Sequence, residues 1–473
     1  MGDLVSNSFE TISPVDGSVV TRTDYSSSEE IEAKLNAAKA VADSWRDLSI
    51  SERAVVCRKA LDYFERNKES IAAEITQQMG RPIKYSAGEV AGLQERGSYM
   101  IDIAEECLRD IEVPEQAGFK RYIRREPLGT VLVLAPWNYP YLTAVNTIIP
   151  ALMAGNSVIL KHSAQTPICA QRFKAAFKAA FKAAGLPAGV FDIVNLTHQQ
   201  VDEVIRSPKI NYVAFTGSVN GGACVEESAS GRFIGVGLEL GGKDPAYVRS
   251  DADLGFAIES LVDGAFFNSG QSCCGIERIY VHRDLYQNFI DGFAKLTADY
   301  VLGNPTDPDT TLGPVVSKAA ATMIQQQIEA AIDMGAKALV DSQPFQDSID
   351  QLGSQYMAPQ VLVDVNHDMA VMTEETFGPV VGIMPVDSDE QAIDLMNDSP
   401  YGLTASLWTR DLETAEALGK QIQTGTVFMN RCDYLDPALV WTGVKNTGRG
   451  GTLSALGYES LTQPKSFHLR LPA

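Results

Sequence analysis

From residue 130 onward the chain repeats one pattern, a short apolar or β-branched run followed by a longer segment with helical periodicity. Residues 130–134 and 157–160 are such runs, bounded by Gly and Pro, and 191–195, 212–216 and 233–239 continue the series. Strand–helix–strand alternation implies a mostly parallel sheet with right-handed crossovers, so the expected class is α/β. Between two of these strands Phe173, Phe177 and Phe181 recur at four-residue steps, each followed by a lysine. That spacing predicts one helix with an aromatic core stripe and a solvated basic flank. After Lys243 the alternation resumes. Strands are expected at 245–248, 278–282, 356–363, 380–385 and 403–408, and helices at 254–267, 285–300, 389–397 and 412–423. A second α/β domain therefore begins near residue 242.

The region before residue 130 reads differently. Segments 28–42, 52–64, 69–79 and 89–108 carry apolar residues at the helical period, several with acidic starts. The N-terminal hundred residues should be mostly helical. Residues 119–126 mix polar and apolar side chains with Lys120, Arg121, Arg124 and Arg125, which fits an exposed edge strand better than an anion site. A last strand is expected at 465–471.

Size and composition narrow the function. A chain of 473 residues exceeds one ordinary core, so two or three domains are expected. The longest apolar runs fall well short of the ~18 residues of a membrane span, and residues 1–20 lack the basic and apolar regions of a signal peptide. A net charge of −21 argues against a nucleic-acid partner. The seven cysteines are irregularly spaced without CxxC, so neither disulfides nor a zinc site is expected, and a reducing, cytoplasmic setting fits. The five histidines show no metal-ligand spacing, and no metal is expected.

Three groups carry candidate chemistry. Cys273 follows Gly270, Gln271 and Ser272, a turn able to present a thiol; a lone cysteine is otherwise most often a small buried residue. Cys274 beside it reads as structural. Glu239 ends an apolar strand just before Gly241 and Gly242, the usual site edge of an open α/β sheet, although a solvated loop acid would look the same. Asn138 lies between Pro136 and Pro140, where stiff backbone can aim its amide; a self-bonded turn Asn is the plain alternative. Together they supply a nucleophile, a base and an oxyanion donor. Gly217 and Ser218 open a helix whose backbone amides suit a pyrophosphate, and Lys161 closes strand 157–160 where a ribose could be gripped.

In these segments, together with 161–167, 374–379 and 425–430, the chain resembles the aldehyde dehydrogenase superfamily over essentially its whole length. The resemblance implies a Rossmann-type cofactor domain (1–115 and 130–241), an α/β catalytic domain (242–453) and a small β oligomerisation flap (116–129 and 454–473). It implies NAD(P)-dependent oxidation of an aldehyde through a cysteine thiohemiacetal and thioester. Cys273 would be the nucleophile, Glu239 the general base and Asn138 the oxyanion donor. Cofactor contacts would come from Trp137, Lys161, Ala164, Gly217, Ser218, Leu240, Gly241, Glu375 and Phe377. Tyr139, Phe267 and Trp441 would line the substrate tunnel, which suits apolar or aromatic aldehydes, or cationic ones by cation–π contact. Asn146, where betaine-aldehyde-type members place Trp, weakens the cationic reading. The family's usual Glu after Lys–Pro–Ser/Ala is Ala164 here, so NADP should be accepted alongside NAD. A homodimer or homotetramer is expected. The competing readings are a CoA-acylating enzyme, which Glu239 disfavours, a non-catalytic protein on the same fold, and a Cys–His hydrolase, for which no suitable histidine exists.

Overall fold

The structure, a computed structural model, describes residues 7–472. The extreme ends of two expected domain segments, and the first residues of the stretch read for a signal peptide, lie outside the described residues.

The helices before residue 130 form where the periodicity placed them: Ser28–Arg46, Ile50–Arg66, Lys68–Met79 and Gly88–Leu108. Local chemistry fixes their ends. Ser27 caps the first, Ser49 and Glu52 form a reciprocal capping box on the second, and Gly80, at φ +83°, stops the third. One element differs from expectation. Residues before the first helix form an antiparallel hairpin, Ser8–Ile12 with Val19–Asp24. Its strands are short and largely polar, so they carry little periodic signal.

Two large sheets follow. The first runs in the order Gly448–Arg449, Gly235–Glu239, Tyr212–Thr216, Thr130–Ala135, Ser157–His162, Phe191–Ile193. All its pairings are parallel except that of Gly448–Arg449 with Gly235–Glu239. The helix Pro167–Ala184 packs Phe173, Phe177 and Phe181 into the core against Trp45 and Phe64, as the four-residue stripe requires. The second sheet runs Lys337–Ala338, Gln360–Val363, Val380–Val386, Ile276–His282, Asp244–Val248, Thr404–Trp408, Thr426–Met429. Only its first pairing is antiparallel. Separate apolar clusters cover its two faces, as a buried parallel sheet demands.

Some boundaries move. The strand expected at 356–363 is Gln360–Val363, because Tyr356 is tied back to Gly353 in a turn. The one expected at 233–239 starts at Gly235, with Phe233 fully exposed. A helix at Gln343–Leu352 was not anticipated. The basic segment is a strand, Phe119–Pro127, but not the exposed edge expected: it lies between Thr462–Arg470, paired along its length, and Ile111–Glu112, so most of its residues are half-buried. Tyr122 stacks on Phe467 across that pair at 4.6 Å.

This topology gathers the candidate residues at one edge. Asn138, Lys161, Ser218 and Glu239 all lie at or just beyond the carboxyl ends of parallel strands in the first sheet, where open α/β sheets bind ligands.

Candidate active site

The loop carrying Cys273 is over-determined. The helix Leu254–Phe266 ends, and Asn268, Ser269 and Gly270 then adopt φ of +54°, +57° and +70° in succession. Left-handed backbone at two non-glycine residues costs energy and persists only when neighbours enforce it. They do. Asn268 Oδ1 accepts from Arg81 Nε at 3.1 Å, and its Nδ2 donates to the carbonyls of Gln271 and Asn138. Ser269 Oγ donates to the Gly313 carbonyl at 2.9 Å, and Gln271 Oε1 accepts from Val316 N at 2.7 Å. A Cβ at Gly270 would lie 2.1 Å from the Gly378 oxygen, so only glycine fits.

Cys273 is partly exposed whereas Cys274 is buried. The Cys274 thiol donates to Asp433 Oδ1 at 3.0 Å, and its hydrogen bond with Cys273 together with burial holds its pKa well above the ordinary thiol value. The sequence reading of Cys274 as structural agrees with that.

Asn138 is 6% exposed; it sits beside the loop and does not itself line the adjacent cavity. Its Nδ2 donates to the Gln271 carbonyl at 3.2 Å, while its own backbone carbonyl accepts from Arg81 Nη2. Arg81 forms a buried ion pair with Glu89, which accepts from the amides of Tyr141 and Leu142. Arg81 and Glu89 therefore knit Asn138 to the cysteine loop. The sequence reading missed both; the only available signal was an arginine directly after the helix-ending Gly80.

Glu239 is half-buried at the end of its strand. Burial pushes its pKa up, and hydrogen bonds donated by Thr452 Oγ1 and Thr216 Oγ1 pull against that rise. Thr452 was also missed. It reaches Glu239 because Trp441 and Thr452 exchange backbone bonds of 2.8 and 3.0 Å.

A cavity of about 470 Å³ brings Cys273, Glu239 and Leu240 together with all three expected tunnel aromatics, Tyr139, Phe267 and Trp441. The wall is more polar than those aromatics imply, since Arg96, Asn146 and Asp433 also face it.

Of the groups expected to touch the cofactor only Leu240 lines that cavity; the others lie outside its lining. Trp137 and Phe377 meet edge-to-face at 5.7 Å, with Phe377 held at φ +54°. Glu375 Oε1 accepts from Gly242 N at 3.1 Å, and burial and Glu277 raise its pKa to about 7. Any Cβ at Gly241 would lie 2.3 Å from that carboxylate. Ser218 caps the helix Val219–Ala229, and a Cβ at Gly217 would collide with the Phe215 ring. Lys161 has no ion-pair partner among the described residues, and burial lowers its pKa. Ala164 is exposed. His162, next to Lys161, is turned inward: Nε2 bonds the Pro140 carbonyl at 2.9 Å, and Nδ1 accepts from Ser163 N at 3.0 Å. Burial drops its pKa to about 4, so it is neutral and leaves Lys161 as the local cation. A capped helix N-terminus, an unpaired lysine, and a glycine cradle beside a carboxylate fit a dinucleotide.

The family described as "Aldehyde dehydrogenase family" matches residues 3–467. The chain belongs to the aldehyde dehydrogenase family. It is similar to a protein named succinate-semialdehyde dehydrogenase [NADP(+)] from Deinococcus radiodurans, 33% identical over 457 residues, covering 97% of this chain and 94% of the relative. A Mycobacterium tuberculosis protein, succinate-semialdehyde dehydrogenase [NADP(+)] 1, is 32% identical, covering 96% of this chain and 98% of the relative. Among solved structures, a succinic semialdehyde dehydrogenase from Streptococcus pyogenes in complex with NADP+ superposes with a TM-score of 0.92 at 29% identity, covering 98% of this chain and 100% of that one. This aldehyde dehydrogenase is an NAD(P)-dependent oxidoreductase. Among its described residues no helix is long and apolar enough to cross a membrane.

Proposed function

We propose that this aldehyde dehydrogenase converts its aldehyde to a carboxylic acid through a thioester on Cys273. The supporting observation is that the Cys273 thiol and the Glu239 carboxylate open onto one cavity, with the Asn138 amide fixed to the cysteine loop. The thiolate of Cys273 attacks the carbonyl carbon, and the alkoxide of the thiohemiacetal is stabilised by Asn138 Nδ2 and the Cys273 backbone N–H. The bound dinucleotide supplies the hydride acceptor. Glu239 takes a proton from water, which adds to the thioester and releases the acid and the free thiol.

Lys161 and Ala164 would face the adenosine ribose; Gly217 and Ser218 the pyrophosphate; Leu240, Gly241 and Glu375 the nicotinamide ribose; Trp137 and Phe377 the nicotinamide. Ala164 presents no carboxylate to repel a 2′-phosphate, and the NADP-specific names of the relatives support use of NADP. Tyr139, Phe267 and Trp441 would grip the carbon skeleton of the substrate, as apolar walls suit. We assign 1–115 with 130–241 to the cofactor domain, 242–453 to the catalytic domain, and 116–129 with 454–473 to the flap. The strand Gly448–Arg449 is the exception, since it joins the first sheet. The exposed edge strand Thr462–Arg470, paired with Phe119–Pro127, would serve a homodimer or homotetramer.

The test is Glu239→Gln followed by rapid mixing with aldehyde and cofactor. A burst of reduced cofactor of about one equivalent per site, then turnover slowed ~10²–10⁴-fold, is expected for a base needed only in hydrolysis. Equal loss of burst and steady state would assign Glu239 to activating the thiol instead.

A further inference from the structure

We infer that the aldehyde carries a carboxylate at the end remote from its carbonyl, and that Arg96 receives it. This rests on the aldehyde-oxidising reading above and narrows its substrate.

Arg96 projects from the helix Gly88–Leu108, is 8% exposed, and lines the cavity that holds Cys273. Among the described residues it has no ion-pair partner. Its recorded bonds both come from Nη1, to the Leu142 carbonyl at 3.2 Å and to Asn146 Oδ1 at 3.3 Å. The N–H groups on Nε and Nη2 have no protein acceptor, yet they are not among the buried atoms sealed off without partners. They open to the cavity.

The other arginines of the interior are different. Arg81, in the same wall, is closed off by Glu89, Asn268 and the Asn138 carbonyl. Arg53 and Arg278, buried without an acid, spread their donors over several backbone carbonyls. A guanidinium stripped of water with donors unspent is costly unless something charged completes it. Its planar fork fits a carboxylate with two parallel bonds.

The remaining charges allow this. Glu239 is the base, and Asp433 is engaged by Ser272 Oγ at 2.7 Å and the Cys274 thiol. Glu95, bonded by Tyr434, and Asp263 also line the cavity, with their surfaces exposed to screening water, although partial burial and Asp433 raise the Asp263 pKa. Arg96 is inside, where water does not screen it. Glu89 also lines the cavity and acts on Arg96 electrostatically, but its carboxylate is taken up by Arg81 and the amides of Tyr141 and Leu142. Arg96 and Cys273 line one cavity, so a molecule held on the thiol can reach toward the guanidinium. The names of the succinate-semialdehyde relatives point to the same class.

The experiment compares kcat/KM for succinate semialdehyde and for butanal, its uncharged counterpart of equal length, in the wild type, Arg96→Gln and Arg96→Lys. The wild type should favour succinate semialdehyde by about 10²-fold or more, and Arg96→Gln should collapse that ratio by a similar factor, mainly through KM. Arg96→Lys should restore part of it. Using the ratio within each protein cancels any loss of folded enzyme. A wild type that treats both aldehydes alike, or prefers 4-aminobutanal, overturns the inference. So does a ratio unmoved in Arg96→Gln, which would make Arg96 a brace for the Leu142 turn. If the wild type oxidises neither aldehyde while another aldehyde yields reduced cofactor, this inference falls and the thioester reading stands; if no aldehyde does, that reading falls too.

Discussion

Thr452→Val should displace the pH dependence of thioester hydrolysis toward higher pH. The hydroxyl of Thr452 donates to Glu239 Oε1, and Thr216 donates to the other oxygen at 3.2 Å. Both bonds favour the ionised carboxylate, while burial opposes it. Valine keeps the shape of threonine and removes one donor. A hydrogen bond to a charged group contributes about 1.5–3 kcal/mol, and about 1.4 kcal/mol corresponds to one pH unit. Glu239 is only half-buried, so water replaces part of the lost bond and the expectation is the low end, roughly one pH unit. The sign follows from the proposed role: a Glu239 that takes a proton from water must be ionised, so the rising limb of hydrolysis moves up. Steady-state turnover of an ester substrate across the neutral range reads that limb without hydride transfer. Thr452→Ser, which keeps the hydroxyl, serves as the control. A Thr452→Val profile that superimposes on the wild type, or moves down, would refute the reasoning.

Cys273→Ala should abolish aldehyde oxidation and ester hydrolysis together while cofactor binding, followed by nucleotide fluorescence, persists; residual oxidation would remove the thiol from the mechanism. Ala164→Glu would put a carboxylate beside the 2′ position, and a charged hydrogen bond of about 1.5–3 kcal/mol predicts a roughly ten- to hundredfold shift in kcat/KM toward NAD; an unchanged ratio would show that residue 164 does not face the ribose. Arg81→Met breaks the buried pair with Glu89 and should cost about 3–5 kcal/mol in urea unfolding, an expectation that an unshifted midpoint would defeat.

Much of this architecture was legible because its strands are buried on both faces. Val131–Ala135 and Val158–Leu160 are continuous apolar runs within buried strands, and such runs declare themselves. The Phe173, Phe177, Phe181 stripe did the same for a helix. The hairpin Ser8–Ile12 with Val19–Asp24 was invisible because its strands are half-exposed and polar. Within the site, the residues on strand ends and glycine turns could be found by local pattern. Arg81, Glu89, Arg96 and Thr452 could not, because each acts on a partner that only tertiary folding brings near. A charged residue within a helix reads as solvated until the neighbouring face is known, and Arg96 owes its burial to the Leu142–Met153 helix that packs on it.

The pairing of Gly448–Arg449 with Gly235–Glu239 bears on modularity. Gly448 lies opposite Glu239 and Arg449 opposite Leu238, so a strand from late in the chain closes the edge that carries the proposed base. A fragment ending before residue 242 would keep the parallel strands of the first sheet but lose both that edge and Thr452. The proposed cofactor half is thus not a cassette that gene fusion could transplant whole. Shuffling between relatives should succeed only when the segment around 448–452 travels with it.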